Sequence, residues 1–399
     1  MFNFSLFFLL AFVSSAYADM EHNKNTLIGG RAATLAGAYT AISDDASGAF
    51  YNPAGLTFAS GNSFSGSANV YSIKNSTYRE TIGANDWVRK SNNLKPNFFG
   101  VVQKHKQDTF ALSYALTDSF TEHQDQIYQN IGGVTPVDVY ALNLHSEDNT
   151  YLAGPSWARK INDKISVGAS SFFHYRLYRR AYSQYVRFSD GTDESTFTNT
   201  TKKEKGIKPK LGVMYTPMEK LSLGLTFAKT NILTSLQDNQ QNQKLKGAST
   251  LQFGQNSNTQ KRKTPFEIET GAAYFYSPYL LFSTNLDLYL YDNSSKKNVI
   301  NLSAGSEYYL AEKHAVRGGL YTNRTNSHKP TNTSSAPLEH INLYGITAGY
   351  TYYAQNSAIT FGTVYSHGKG KAQIYSGSSA TRDFVQNNVD FILSADYGF

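Results

Sequence analysis

The chain has 399 residues, a formal net charge of +7 and no cysteine, which excludes disulfides, thiolate metal sites, a cysteine nucleophile and a lipoprotein anchor. Its mean hydropathy of −0.43 is too polar for a bundle of membrane-spanning helices. It allows a membrane β-barrel, in which half of each strand faces a polar lumen. Lys and Arg residues are dispersed along the chain, so nucleic-acid binding is not expected.

Residues 1–18 have the pattern of a secretory signal peptide. Their apolar run is shorter than the roughly 20 residues that span a bilayer. Ala16, Tyr17 and Ala18 form an A-x-A cleavage site. We therefore predict cleavage after Ala18 and export from the cytoplasm.

Residues 19–61 differ in composition from everything that follows. They are rich in Ala and Gly, which suits short helices packed in a confined space. Ser43, Asp44 and Asp45 are placed to cap a helix, and Pro53 ends or bends it. We predict a small helical domain in this part of the chain.

Residues 62–399 alternate between apolar and polar side chains with the period of two that is typical of β-strands. In 280–291, for example, Leu280 and Phe282 share one face, while Ser283 and Asp287 share the other. Short turns and long polar loops separate such segments alternately, as on the two rims of an up-and-down barrel. The predicted turns are 104–108, 161–164, 216–220, 276–279, 311–314 and 354–357, and the predicted loops are 75–96, 119–149, 180–206, 231–264, 292–297, 323–340 and 369–387. The predicted fold class is all-β: a transmembrane antiparallel up-and-down β-barrel of about 14 strands.

The last strand, 388–399, alternates to its end and finishes on Phe399, with aromatic side chains on the same face. This ending is similar to the C-terminal signal of barrels that the outer-membrane assembly machinery inserts. We predict the bacterial outer membrane as the location and this machinery as a partner through Phe399. Outer-membrane lipids and lipopolysaccharide are the predicted neighbours of basic loop segments such as 261–263.

A barrel of about 14 strands is too wide to be filled by its own side chains, because about eight strands already enclose a packed interior. Its lumen must hold water, a ligand or a plug. Both ends of an even-stranded barrel lie on the periplasmic side, where residues 19–61 would begin. We expect these residues to form the plug.

This N-terminal domain resembles that of a known family. The run from Gly30 to Leu56 is similar to the hatch of the FadL/TodX-type outer-membrane transporters, and Asn52-Pro53-Ala54 matches the NPA hatch motif of that family. The resemblance implies a fourteen-stranded barrel plugged by its N-terminus. It further implies uptake of long-chain fatty acids or other hydrophobic compounds by diffusion, without energy coupling.

The resemblance also implies a lateral exit, which a kink in the third strand opens next to the hatch. The third strand of this chain, predicted to begin at 108 and to run to 118, has no Gly or Pro, so the sequence does not locate an exit. The apolar groove of the family lies on the third and fourth outer loops, which correspond here to 180–206 and 231–264. The second of these loops is rich in Gln and Asn.

Strand parity points five candidate ligand-binding side chains into the lumen: Phe172, His174, Arg176, Lys210 and Arg317. Aromatic groups with a cation for a carboxylate would suit a hydrophobic, fatty acid-like ligand. Arg317 is also placed to hold the hatch.

The sequence contains no recognisable catalytic, metal-binding or cofactor-binding motif, so we expect a non-enzyme that needs neither metal nor cofactor. Two alternatives to transport stay open. One is a surface-exposed barrel that acts as an interaction protein or secretion-system component, which the fold alone does not exclude. The other is a barrel enzyme that uses the inward carboxylates Glu267, Glu269, Asp287 and Glu307.

Overall fold

The computed structural model describes residues 21–133, 135–331, 338–374 and 381–399, with the backbone alone at 69 and 70. The predicted signal peptide and the first residues of the predicted hatch lie outside this part of the chain.

Three short helices precede the strands. They are α1 (Gly30–Thr34), α2 (Gly48–Tyr51) and a 3₁₀ helix (Pro53–Phe58). The strands in the described residues are β1 (Ser63–Ile82), β2 (Asn85–His105), β3 (Asp108–Ile131), β4 (Val137–Lys160), β5 (Ile165–Phe188), β6 (Asp193–Met218), β7 (Leu221–Lys229), β8 (Asn231–Lys244), β9 (Gln252–Asn258), β10 (Phe266–Ser277), β11 (Leu280–Leu290), β12 (Val299–Ala311), β13 (His314–Asn323), β14 (Leu338–Ile341), β15 (Leu343–Tyr353), β16 (Ser357–Gln373) and β17 (Arg382–Gly398).

The strands form one closed antiparallel barrel. β1 pairs with β2 on one side and with β17 on the other, which joins the two ends of the sheet. Three strands of the barrel are each interrupted once and are therefore counted as two, namely β7 with β8, β9 with β10, and β14 with β15. The seventeen strands of the described residues therefore make a barrel of fourteen, and the predicted fold class is confirmed.

The outer surface of the barrel is apolar. In β11, Leu280, Phe282 and Leu290 point outward while Ser283 and Asp287 are buried, as the alternation predicts. Large exposed apolar side chains recur on almost every strand, among them Phe110, Leu112, Phe173, Leu211, Leu302, Leu320, Ile346, Phe361 and Leu393. An apolar outer band of this kind faces lipid, which confirms the predicted outer-membrane barrel.

None of the helices among the described residues is long and apolar enough to cross a membrane.

The strands of the first hairpins are much longer than predicted. β3, β4 and β5 each have 24 residues and β6 has 26, whereas about 9–11 residues suffice to cross the bilayer. The predicted loops 75–96, 119–149 and 180–206 are therefore wrong as loops, because most of their residues continue the strands. Beyond the lipid band both faces of a strand can be polar, so the alternation that marks a membrane strand is lost there.

Residues 27–56 are almost entirely buried and pack against the inner face of the strands. Inward glycines on the strands make room for them: a Cβ at Gly168 would lie 2.5 Å from the amide nitrogen of Ala54, and one at Gly224 would lie 2.1 Å from the carbonyl oxygen of Thr40. Inward glycines of β2, β6, β10, β12, β13, β15 and β16 approach the same segment. The segment thus contacts strands around most of the circumference.

Candidate functional site

The Asn52-Pro53-Ala54 motif begins the 3₁₀ helix and ties it to the barrel. The Asn52 side chain is fully buried, and its Oδ1 accepts a hydrogen bond from the Ala54 amide at 3.1 Å. Its Nδ2 donates to the Thr40 carbonyl at 2.9 Å and to the Val213 carbonyl of β6 at 3.1 Å. Asn52 therefore caps the helix and binds two other backbone segments with one side chain.

Serines of β5 fasten the same region of the N-terminal segment. Ser166 Oγ donates to the Ala54 carbonyl at 3.0 Å, and Ser170 Oγ donates to the Ala49 carbonyl at 2.8 Å. The NPA motif therefore lies against the wall formed by β5 and β6.

An ionic cluster fastens the opposite side of the segment. Arg31 donates two hydrogen bonds to Glu307 of β12, at 2.8 and 2.9 Å, and a third to Asp44 at 2.7 Å. Arg317 of β13 donates to the same Glu307 at 2.5 Å. Two arginines thus share one carboxylate, so Arg317, a predicted ligand-binding residue, contacts the group that holds the N-terminal segment.

Two acidic side chains extend this cluster within the segment. The Tyr39 hydroxyl contacts Asp44 Oδ1 at 2.9 Å and Asp45 Oδ2 at 2.8 Å, and Asp45 also accepts from Ser47. Burial, together with the neighbouring charge of Asp44, raises the pKa of Asp45 above its ordinary value.

The other predicted cations are also paired with carboxylates. Arg176 forms a two-point contact with Asp148 at 2.8 and 2.5 Å, and Lys210 lies 2.8 Å from Glu269. Phe172 and His174 are buried on β5 as predicted, and His174 Nε2 has no hydrogen-bond partner among the described residues. Contact of these residues with a ligand stays a prediction.

The wall of the barrel is interrupted between β2 and β3. The two strands pair from the turn up to Phe98 and Ala115, and then again only at Ser91 and Glu122. The described backbone has no ladder pairs between residues 92–97 and residues 116–121. We call this interruption the β2–β3 gap.

Two bulges and a proline account for the gap. Asn97 is an extra residue on β2 relative to β1, and Thr117 is an extra residue on β3 relative to β4. Each bulge shifts the alternation of its strand by one residue at the periplasmic end of the gap. Pro96 lies beside the first bulge and has no N–H to donate to a neighbouring strand.

Polar side chains cross the gap on its inner side. Asn93 Nδ2 donates to Ser119 Oγ, and Lys95 Nζ reaches Asn149 of β4 at 2.8 Å and Glu147 at 3.3 Å. On the outer side of β2, Leu94 is 68% exposed and lies between the exposed residues Asn92 and Pro96.

A recess in the lumen lies directly behind the gap, and we call it the inner recess. It is lined from the two gap segments by Asn93, Lys95, Asn97, Leu116, Asp118, Ser119 and Phe120. Its other walls come from residues 24–26, β1, β13 and β15–β17, with Lys74, Tyr321, Leu343 and Asp390 among them. The lining combines a polar majority with an apolar patch.

A second recess, the outer recess, continues from the inner one. Both are lined by Lys74, Ser91 and Phe120, and the outer recess adds Tyr78, Arg89, Glu339 and Ile341. None of the five predicted ligand-binding residues lines either recess. The structure therefore separates the candidate site, near β1–β3, from the ion pairs of β4–β6 and β10–β13.

Comparisons with known proteins bear on this arrangement. No known family model matches the chain, and no curated protein matches it significantly. Among solved structures, a Pseudomonas aeruginosa FadL homologue is 13% identical, with 95% of this chain and 100% of that chain covered at a TM-score of 0.69. The Ralstonia pickettii toluene transporter TbuX is 13% identical, with 93% and 98% covered at a TM-score of 0.66. The Pseudomonas putida toluene transporter TodX is 11% identical, with 96% and 100% covered at a TM-score of 0.65.

The chain has the FadL/TodX-type fold. The resemblance based on the hatch motif is therefore confirmed for the overall architecture. Because the sequence identities are this low, the comparisons show the fold alone. The lateral exit that the resemblance implies stays a prediction, and the β2–β3 gap is the place where the pairing of the third strand is interrupted.

There is an identifiable reason why the sequence did not indicate the residues of the gap. Residues 92–96 fell at the end of a predicted polar loop, and residues 119–121 fell at the start of another. One signal was present: Pro96 lies 12 residues before Asp108, where the third strand was predicted to begin. A proline at the end of a polar segment is equally typical of a loop, so it does not by itself indicate interrupted strand pairing.

Proposed function

We propose that this protein is an outer-membrane channel through which hydrophobic and amphiphilic small molecules enter by diffusion. The observation that carries the proposal is the β2–β3 gap, which opens from the inner recess toward the apolar outer surface. A water-filled pore passes apolar solutes badly, because their surface is transferred into water on the way. A side opening lets such a solute move from the recess into the membrane without crossing the full length of the lumen.

The lining of the inner recess supports an amphiphile, such as a long-chain fatty acid, over an unsubstituted hydrocarbon. Lys74 and Lys95 line the recess together with the carboxylates of Asp118 and Asp390, and Lys74 Nζ lies 5.2 Å from the centre of the Phe120 ring. Leu116 and Leu343 supply apolar surface in the same recess. A few placed polar groups beside apolar surface are the usual composition of a small-molecule site.

In this proposal, residues 19–61 act as the hatch that keeps the lumen from being an open pore. Support comes from their contacts with strands around the barrel and from the Arg31–Glu307 and Asn52–Val213 hydrogen bonds. Solutes then leave through the gap, because the direct path to the periplasm is filled.

The gap can be closed by a cross-link, since the chain has no native cysteine. The variant Asn93→Cys/Ser119→Cys replaces two side chains that touch across the gap. We expect uptake of labelled oleate, in a strain without its own transporter, to fall to background when these cysteines are bridged by oxidation or a short bis-maleimide. Reduction of the disulfide should restore it.

A matched control is Ser366→Cys/Asn388→Cys. These side chains also form an Asn–Ser hydrogen bond, at 3.0 Å, and also face the inner recess, but their strands β16 and β17 pair continuously. Uptake should survive this cross-link. Equal uptake with the gap open and closed would contradict the proposal.

One observation favours the alternative of an interaction protein. β9 pairs only with β8 in the described residues, and all of its residues from Gln252 to Asn258 are exposed. Such an edge is a template for an added strand from a partner. Under this alternative, cross-linking the gap leaves the function of the protein unchanged.

A further inference from the structure

Two histidines face each other on the extracellular part of β3 and β4. His123 and His145 are directly paired across the two strands, with ring centres 4.2 Å apart and Nδ1 atoms 2.9 Å apart. The pair lies on the outward face, beyond the gap, so the proposed uptake route does not use it. The histidine pair therefore has a role that is separate from the proposed uptake route, or none.

The distance between the two nitrogens matches the bite of a metal chelate. Imidazole nitrogens bind first-row metals at about 2.0–2.1 Å, so two of them at the observed separation subtend an angle of about 90° at the metal. A tetrahedral ion such as Zn²⁺ would require about 3.4 Å between the nitrogens. A right angle is the geometry of neighbouring ligands in tetragonal Cu²⁺ or Ni²⁺ sites.

We propose that His123 and His145 form a two-ligand surface site for Cu²⁺ or Ni²⁺. In the metal-free pair the 2.9 Å contact is a hydrogen bond in which one Nδ1–H donates to the Nδ1 lone pair of the other ring. On metal binding both Nδ1 lone pairs go to the ion, and the shared proton moves to the Nε2 of the same ring. No proton is released in this exchange, and no other covalent bond changes.

Water completes the coordination of the ion. No group of three or more His, Cys, Asp or Glu residues in the described parts of the chain is arranged to hold a metal. Asp125 and Asn143 occupy the next outward positions of the two strands and flank the pair. The site is therefore open and exchangeable, and a bound ion links β3 to β4 just beyond the gap.

The test is a Cu²⁺ titration of the purified full-length barrel in detergent, in a non-coordinating buffer, followed by calorimetry and electron paramagnetic resonance. We expect one ion with hyperfine coupling to two nitrogens. The variant His145→Gln keeps a side chain that can accept or donate a hydrogen bond at this position but lacks the imidazole. It should weaken binding by about tenfold or more, because one of two protein ligands is lost.

Two further variants complete the design. His123→Ala/His145→Ala should abolish the two-nitrogen signal, and His105→Ala, which removes an exposed histidine at a short turn of the opposite rim, should leave it unchanged. Circular dichroism, together with the difference in gel migration between heated and unheated samples, establishes that each variant is a folded barrel. Copper binding that is equal in the wild type and in either His145 variant would overturn the proposal, as would an equal loss in His105→Ala.

Discussion

At the scale of single residues, Glu307 holds the N-terminal segment to the barrel wall through a buried ion pair. Its side chain is 1% exposed, and it accepts hydrogen bonds from both Arg31 and Arg317. A buried carboxylate shared by two guanidinium groups balances charge only while it is ionised and present. Its removal leaves Arg317 without its carboxylate partner, whereas Arg31 keeps its ion pair with Asp44.

We expect Glu307→Gln to destabilise the folded barrel by about 3 kcal/mol and to loosen the hatch, because breaking a buried ion pair leaves an uncompensated charge. The measurement is conductance in planar bilayers together with thermal unfolding in detergent. Asp383→Asn is the control, since Asp383 pairs with Lys371 at the exposed end of β16 and β17. Identical conductance traces for Glu307→Gln and the wild type would show that the cluster does not hold the hatch.

At the scale of structural elements, the inward glycines decide how closely the N-terminal segment approaches the strands. The NPA motif lies on Gly168 of β5 and Gly212 of β6, where any Cβ would collide with the backbone of Ala54 or with Asn52 Oδ1. These contacts join elements that are more than 100 residues apart in the chain, so the motif and the glycines act as one interface.

The variant Gly168→Ala tests this interface. The added methyl group would lie 2.5 Å from the Ala54 amide, so the segment must shift away from β5. We expect a cost of about 1–3 kcal/mol, as for other overpacked interiors, and a rise in conductance. Gly254→Ala on the exposed strand β9, where a Cβ meets nothing within 4 Å, is the control. A wild-type conductance for Gly168→Ala would mean that the segment is not held at this point.

At the scale of the whole molecule, the barrel closes without backbone pairing from the N-terminal segment. The strands close through backbone ladders that run from β1 around to β17, and the segment contributes none of these pairs. Removal of the segment should therefore empty the lumen and leave the closed barrel intact.

We predict that deletion of residues 19–56, behind an intact signal peptide, produces a leaky and non-selective pore. A fourteen-stranded wall without a plug is wide enough to hold a water-filled channel. The measurements are single-channel conductance and the sensitivity of the expressing cells to large antibiotics. Unchanged values in a barrel that still assembles would remove the hatch from the proposed mechanism.

The parts of the structure that the sequence predicted are those that depend on local pattern. The alternation in Leu280–Leu290 fixed which side chains face outward, and the same parity correctly placed Arg176 and Lys210 inside. These cations pair with Asp148 and Glu269, which lie on other strands. The register that brings the partners together cannot be predicted from the sequence of either strand alone. The β2–β3 gap was missed for the same reason, because a missing pair is a property of two strands.

The unequal strand lengths give the barrel rims of different heights. At a rise of about 3.3 Å per residue and a tilt of about 45°, the 24 residues of β4 span about 55 Å, roughly twice the apolar thickness of the outer membrane. The 11 residues of β11 span less than half of that. The tall side extends well beyond the apolar layer, whereas the side at β11 ends near the edge of that layer. Under the proposed function, this raised surface is the first part of the protein that an arriving solute meets.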